Sequence, residues 1–167
     1  MRDVLLSAEV SKEVFLNITS RFCTAVLVFV LSVGSAVGQQ ASPIVIDHVA
    51  IYVADLNTSI KFYHDVFGFE RVPMPVTFAA WLSMGHGVML HIVAGRKEPV
   101  TNSKWDHLSL ACDDMDKMTA ALDAKHIAWS SMEGKPTPAV RFDGVKQVFI
   151  KDPDGYWIEI NDALKGK

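Results

Sequence analysis

Of the six histidines in this chain of 167 residues, two occur in nearly the same setting. Ile46-Asp47-His48-Val49-Ala50-Ile51-Tyr52-Val53-Ala54-Asp55-Leu56 is echoed by Trp105-Asp106-His107-Leu108-Ser109-Leu110-Ala111-Cys112-Asp113-Asp114-Met115. His48 and His107 stand 59 positions apart, and so do Asp55 and Asp114. A constant offset held over a dozen positions marks an internal repeat. Two further residues with suitable chemistry follow, His91 at 43 positions after His48 and Glu159 at 52 after His107. Imidazole nitrogens and carboxylate oxygens are donors for a divalent transition ion, and a carboxylate can also move a proton.

Strands and helices must bring these side chains to bear. Residues 44–53 alternate like a strand, which puts His48 on one face with Ala50 and Tyr52. A helix over 55–66 follows, capped by Asp55 or Asn57, with Leu56, Ile60, Tyr63 and Phe67 at helical spacing and Gly68 as its stop. Strands are predicted over 69–74, 78–84 and 88–93, the last carrying His91. The polar stretch 94–103 reads as a linker. The second unit repeats the order, with a strand over 105–112, a helix over 114–125 and a strand over 127–132. After a loop over 133–138, strands 145–150 and 156–160 form a hairpin around Asp152-Pro153-Asp154-Gly155. Glu159 then shares a face with Trp157 and Asn161. The fold class is α+β, two tandem βαβββ modules, each offering one candidate ligand from its first strand and one from its last.

Composition narrows the function. The formal net charge is −3, with no run of lysine or arginine, which argues against nucleic acid or an anionic membrane surface as partner. Arg21 followed by an apolar run over 22–37 and the exit Ser35-Ala36-Val37-Gly38 predicts a secretory signal over 1–39, with an uncleaved membrane anchor as the rival. The expected product is exported, periplasmic or secreted, and its mature domain is not embedded in a membrane. Cys112 is then the lone cysteine of that product and reads as a small buried hydrophobe.

Ile-Asp-His48-Val-Ala-Ile-Tyr-Val, Phe62-Tyr63 through Phe67-Gly68-Phe69, Trp-Asp-His107-Leu and Asp152-Pro-Asp-Gly-Tyr-Trp-Ile-Glu159-Ile together carry a resemblance. The chain resembles the vicinal oxygen chelate superfamily: glyoxalase I, methylmalonyl-CoA epimerase, extradiol dioxygenases, and fosfomycin- and bleomycin-resistance proteins. The resemblance implies a domain over 43–162, with modules 43–94 and 104–162 curling their mixed sheets into a cleft around one divalent metal. Carried over position by position, it makes His48, His107 and Glu159 ligands. The fourth position, Glu or Gln in glyoxalases and epimerases, is His91 here. Three imidazoles and a carboxylate suit Zn, Fe, Ni, Co or Mn.

What the resemblance implies for function is a metal-dependent lyase or isomerase working on a small α-oxygenated carbonyl substrate. The metal would stabilise an enediolate and Glu159 would move the proton. One alternative is an extradiol-type Fe(II) dioxygenase, and another a bleomycin-resistance-type protein that sequesters a small drug or toxin. A homodimer is also implied. Tyr52, Trp81 and Trp157 are candidates to line the substrate cleft. His64, His86, His126, Arg96 and Arg141 read as solvated, and the side chains of Asp47 and Asp106 are expected to face away from the ligand histidines.

Overall fold

The computed structural model describes residues 44–167, so the expected signal over 1–39 and the apolar run 22–37 lie outside the described residues. Strand β1 (His48–Val53) leads into helix α1 (Leu56–Phe67) and then β2 (Glu70–Val72), β3 (Ala79–Gly85) and β4 (Val88–Ala94). The order recurs as β5 (His107–Ala111), α2 (Met115–Ala124), β6 (Ala139–Val140), β7 (Lys146–Lys151) and β8 (Trp157–Asn161). Each module is a four-stranded mixed sheet, ordered β1-β4-β3-β2 and β5-β8-β7-β6, with the first strand parallel to the last. The tandem βαβββ reading holds. Among the described residues no helix is long and apolar enough to cross a membrane.

Both helices begin as the repeat of Asp55 and Asp114 predicts. Each carboxylate accepts the backbone N–H three residues on, from Thr58 and Lys117, and this satisfies a first-turn donor that has no partner within the helix. Those hydrogen bonds hold both carboxyls below the usual aspartate range. Gly68 ends α1 in the left-handed region at φ 72°, donating its N–H back to His64 O.

One face of each sheet is the core. Ile51, Val53, Leu82, Leu90 and Ile92 from the first module join Val148, Ile150, Ile158 and Ile160 from the second in a single buried cluster. Tyr63 of α1 lies inside it, stacked on Phe69 with ring centroids 6.3 Å apart. The Asp152–Gly155 turn clasps the first module. Asp152 Oδ2 accepts from Tyr63 Oη at 2.9 Å, while Asp154 accepts from Ala54 N–H at 2.6 Å and from Ser59 Oγ at 3.2 Å. Burial pushes the Asp152 carboxyl up and holds the Tyr63 phenol protonated.

Several predicted strands are cut back, 69–74 to Glu70–Val72 and 105–112 to His107–Ala111 among them. The first strand starts at His48 rather than 44, and Ile44, Val45 and Ile46 are exposed. The strand expected over 127–132 shrinks to a single bridge, Ser130 to Phe149, and the third strand of the second module is Ala139–Val140. The cause is competition for backbone groups. Lys104 Nζ takes Ser131 O at 2.6 Å, and Ser131 Oγ accepts the N–H groups of Glu133 and Lys135, so the chain turns before a ladder can extend.

Candidate metal centre

The opposite face of each sheet carries the candidate ligands, in matching register. His91 is paired with Ala50, two residues after His48, and on its other side with Trp81. Glu159 is paired with Ser109, two residues after His107, and on its other side with Phe149. The 43- and 52-residue gaps therefore close onto equivalent positions of two equivalent sheets, the extra length being spent in the segment between α2 and β7.

In the second module His107 and Glu159 come together. His107 Nε2 lies 3.4 Å from Glu159 Oε2, and both side chains are largely buried. His107 Nδ1 is 2.5 Å from Lys104 O. A carbonyl only accepts, so Nδ1 carries a proton and Nε2 is the nitrogen turned towards Glu159. The other carboxylate oxygen, Oε1, accepts from Ser109 Oγ at 2.9 Å and from Asn161 Nδ2 at 2.8 Å. Asn161 Nδ2 also donates to Ser109 Oγ, closing a triangle that fixes the carboxylate plane and leaves Oε2 turned to His107.

The first module has no such clamp. The positions equivalent to Ser109 and Asn161 are Ala50 and Val93. An imidazole stands there instead, with His91 stacked on Trp81 at 4.2 Å and His48 edge-on to both rings, at 5.0 Å from Trp81 and 6.0 Å from His91. His48 Nδ1 lies 2.6 Å from Asp47 Oδ2. Asp47 therefore holds its neighbour rather than facing away, because β1 begins only at His48 and residue 47 is free of the alternation. Again Nδ1 is the engaged nitrogen and Nε2 the available one.

The four candidates stand as two separate pairs. Among the described residues, no group of three or more His, Cys, Asp or Glu side chains could hold one ion, so the four candidates do not converge within the chain. A cavity of about 490 Å³ at the seam between modules takes in His107, Trp105 and Trp157, but not His48, His91 or Glu159. Of the residues proposed to line a cleft, Tyr52 is half-exposed on the β1 face, Trp81 backs His91, and Trp157 lies under Lys104 and Lys151, whose Nζ atoms are 5.0 and 4.6 Å from its ring centroid.

Sequence reasoning did not single out Ser109 and Asn161 as carboxylate holders. The signal was there, because both are polar two residues from a candidate ligand where the first unit has Ala50 and Val93. The two arginines differ from expectation. Arg96 is built in, donating to Glu98 O, Pro99 O and Tyr156 Oη. Arg141 grips Asp143 through Nε and Nη2 at 3.2 and 2.6 Å and brings Nη1 within 3.7 Å of Glu159 Oε1. Asp143 raises the Arg141 guanidinium further and is itself held below the usual carboxylate range. Cys112 is half-buried and its thiol pushed up by desolvation, the environment of an unreactive side chain.

Paired βαβββ sheets with a histidine on each opening strand define a class of cleft-forming proteins. The chain belongs to the Glyoxalase/Bleomycin resistance protein/Dioxygenase superfamily, whose family model matches residues 45–160. It is 29% identical over 127 residues to a protein named Glyoxylase I 4 from Arabidopsis thaliana, covering 69% of this chain and 68% of that one. It is 26% identical over 117 residues to the metallothiol transferase FosB of Staphylococcus epidermidis, covering 70% and 80%. Among solved structures, a lactoylglutathione lyase from Agrobacterium tumefaciens superposes with a TM-score of 0.57 at 23% identity, covering 73% of this chain and 96% of that one. The Oxidase ChaP-H2 superposes at 0.61 with 19% identity, covering 75% and 98%. These superpositions support the fold, and the named activities belong to those proteins.

Proposed function

We propose that this chain is a metal-dependent, glyoxalase-like lyase or isomerase for a small α-oxygenated carbonyl compound. One divalent ion would be held by His107 and Glu159 of one copy with His48 and His91 of a second copy. The observation that carries the reading is the 3.4 Å approach of His107 Nε2 to Glu159 Oε2. With Nδ1 committed to a carbonyl, Nε2 and Oε2 are the two atoms left to share a cation. Two donors at about 2.1 Å from a tetrahedral ion stand about 3.4 Å apart, so the pair fits as it stands. Imidazole and carboxylate suit Zn, Fe, Ni, Co or Mn.

A second copy supplies what one chain lacks. Under a twofold axis, the first module of each copy meets the second module of the other and both sites complete together. Fully exposed Phe142, next to Arg141, and exposed Trp105, two residues before His107, offer apolar surface beside one half-site; Phe78, just before β3, offers it beside the other. Family members often form dimers and are usually metal-dependent. We also propose export of the domain, on the strength of Arg21 and the apolar run 22–37.

A divalent ion bound there would supply Lewis acidity to two neighbouring substrate oxygens. The chain's own groups account for the rest. Glu159 would take the proton from the carbon next to the carbonyl on Oε2, the oxygen free of the Ser109 and Asn161 hydrogen bonds, and return it to the neighbouring carbon, holding an ion only while Oε2 is unprotonated. His91 replaces the carboxylate of a two-base site, so the proton is removed and replaced on one face of the substrate. Trp157, Phe149 and Trp81 wall the site against water. A second reading is favoured by the His91–Trp81 stack. If that stack keeps His91 off the ion, two histidines and one glutamate form the facial triad of Fe(II) oxygenases. Oxygen uptake with a catechol then distinguishes it.

The test is metal content of the purified protein beside His107→Ala and Glu159→Ala. About one ion per chain in the parent, lost in both variants, is expected. An equal mixture of refolded His48→Ala and His107→Ala chains should regain roughly a quarter of the sites, because half the dimers are mixed and each holds one intact pair of half-sites. A parent that takes up no ion on reconstitution overturns the metal reading and favours the sequestering type of protein. Mixed chains that regain no ion overturn the shared site.

A further inference from the structure

We infer that Lys104 is a positioning residue for the candidate ligand His107: its ammonium, docked on the 130–132 loop, fixes the backbone carbonyl that orients the imidazole. This deepens the metal-site reading and rests on it. Residues 102–106 lie between β4 and β5, outside any strand, and His107 Nδ1 donates to Lys104 O at 2.5 Å. Asp106 N–H to Ser103 O and Asn102 Nδ2 to Asp106 O shape this turn from within. The Lys104 side chain ties it to the rest of the module. Its Nζ donates to Ser130 Oγ at 2.9 Å, Ser131 O at 2.6 Å and Met132 O at 3.4 Å, which uses all three N–H groups. The same ammonium lies over the rings of Phe149 and Trp157, 5.5 and 5.0 Å from their centroids.

These contacts close a circuit around the two candidate ligands. Ser130 and Phe149 exchange backbone hydrogen bonds at 3.1 and 2.8 Å, and Phe149 is paired with Glu159 across β7 and β8. Phe149 also meets the His107 ring edge-on at 5.3 Å. His107 is thus tied through Lys104, Ser130 and Phe149 to the carboxylate residue that it faces at 3.4 Å. The docking loop is itself held, because Ser131 N–H donates to Lys135 O at 2.8 Å and Gly134 N–H to Ser131 O at 3.0 Å. Ser131 is only 2% exposed, so the carbonyl end of this anchor is shielded from water. The first module has no such device. At the repeat offset of 59, exposed Val45 stands where Lys104 does, and His48 Nδ1 meets the exposed carboxylate of Asp47 instead. The group that engages Nδ1 fixes which nitrogen is left for an ion, so whatever places the Lys104 carbonyl also aims Nε2.

Lys104→Met tests this, because it keeps most of the aliphatic stem and removes the ammonium. In the metal-free parent, the His107 Nδ1 proton should give a slowly exchanging downfield NMR signal, identified by its loss in His107→Gln. Lys104→Met should abolish that signal. Its zinc affinity, read by competition against a chromophoric chelator, should fall about tenfold or more, the usual effect of losing a group that orients a ligand histidine. Ser130→Ala removes one of the three acceptors and should weaken zinc binding less; added to Lys104→Met it should change nothing further. Tyr63→Phe loosens the clasp between modules elsewhere and should leave the signal in place, which separates positioning from a general loss of stability. Circular dichroism confirms the fold of each variant, and where Lys104→Met does not fold, Ser130→Ala decides by the same two readouts. No such signal in the parent, a signal that survives in Lys104→Met, or unchanged zinc affinity in that variant overturns the positioning role. If the parent binds no zinc, the metal reading has failed, and the proton signal alone then judges whether Lys104 orients His107.

Discussion

Replacing Asn161 by leucine keeps the side-chain volume but removes the donor 2.8 Å from Glu159 Oε1. Glu159 is only 6% exposed, so water cannot take the donor's place. A hydrogen bond to a charged group contributes about 1.5–3 kcal/mol, which is roughly 10- to 150-fold in an equilibrium constant. If Glu159 is a ligand through Oε2, the loss should appear as weaker zinc binding, by about 10- to 100-fold. Ser109→Ala, which installs the residue found at the equivalent position of the first module, should weaken binding in the same direction. Asn161 Nδ2 also donates to Ser109 Oγ, so the three groups act as a unit and the double variant should lose less than the two single losses combined. The assay is competition for zinc against a chromophoric chelator, with thermal unfolding followed in parallel because Asn161 Oδ1 also accepts from Ala163 N–H. Unchanged zinc affinity in both single variants, in protein that stays folded, would refute the argument that this triangle positions a metal-binding carboxylate.

The clasp between modules gives two further tests. Tyr63→Phe removes the buried donor to Asp152 and should cost about 1–3 kcal/mol in urea unfolding, with no change in zinc affinity. Asp152 has its folded pKa raised by burial, so the native state takes up a proton more readily than the unfolded chain. That contribution grows as pH falls through the raised folded value towards the ordinary aspartate range, and is absent from Asp152→Asn. The parent should therefore gain stability relative to that variant on acidification; a parallel pair of pH–stability curves would contradict it. Gly68→Ala tests the stop of α1. An added Cβ meets nothing within 4 Å, so only the left-handed φ of 72° opposes it, and the expected loss is about 1 kcal/mol in denaturant unfolding.

Much of this protein was legible in local chemistry. Alternation put His48, Ala50 and Tyr52 on one face because side chains in a strand alternate whatever the surroundings. Asp55 and Asp114 capped helices because a carboxylate satisfies first-turn N–H groups within three residues. The offset of 59 announced the repeat, since a duplicated unit keeps its spacing where loops do not intervene. What failed locally was decided by distant groups. The strand over 127–132 was lost to Lys104, more than twenty residues away, which took the carbonyl groups a ladder would have used.

The site divides in the same way. Residue types and spacing named His48, His91, His107 and Glu159, and that information is local to each module. Only the tertiary structure joined Ser109 and Asn161 to one carboxylate oxygen, drew Arg141 out of a turn towards Glu159, and anchored His107 through Lys104 O. Only it divided the four candidates into two pairs. The physical reason is that periodicity tells which face of a sheet a side chain takes, whereas distances between faces depend on how the sheets curl and pack, a property of the whole core.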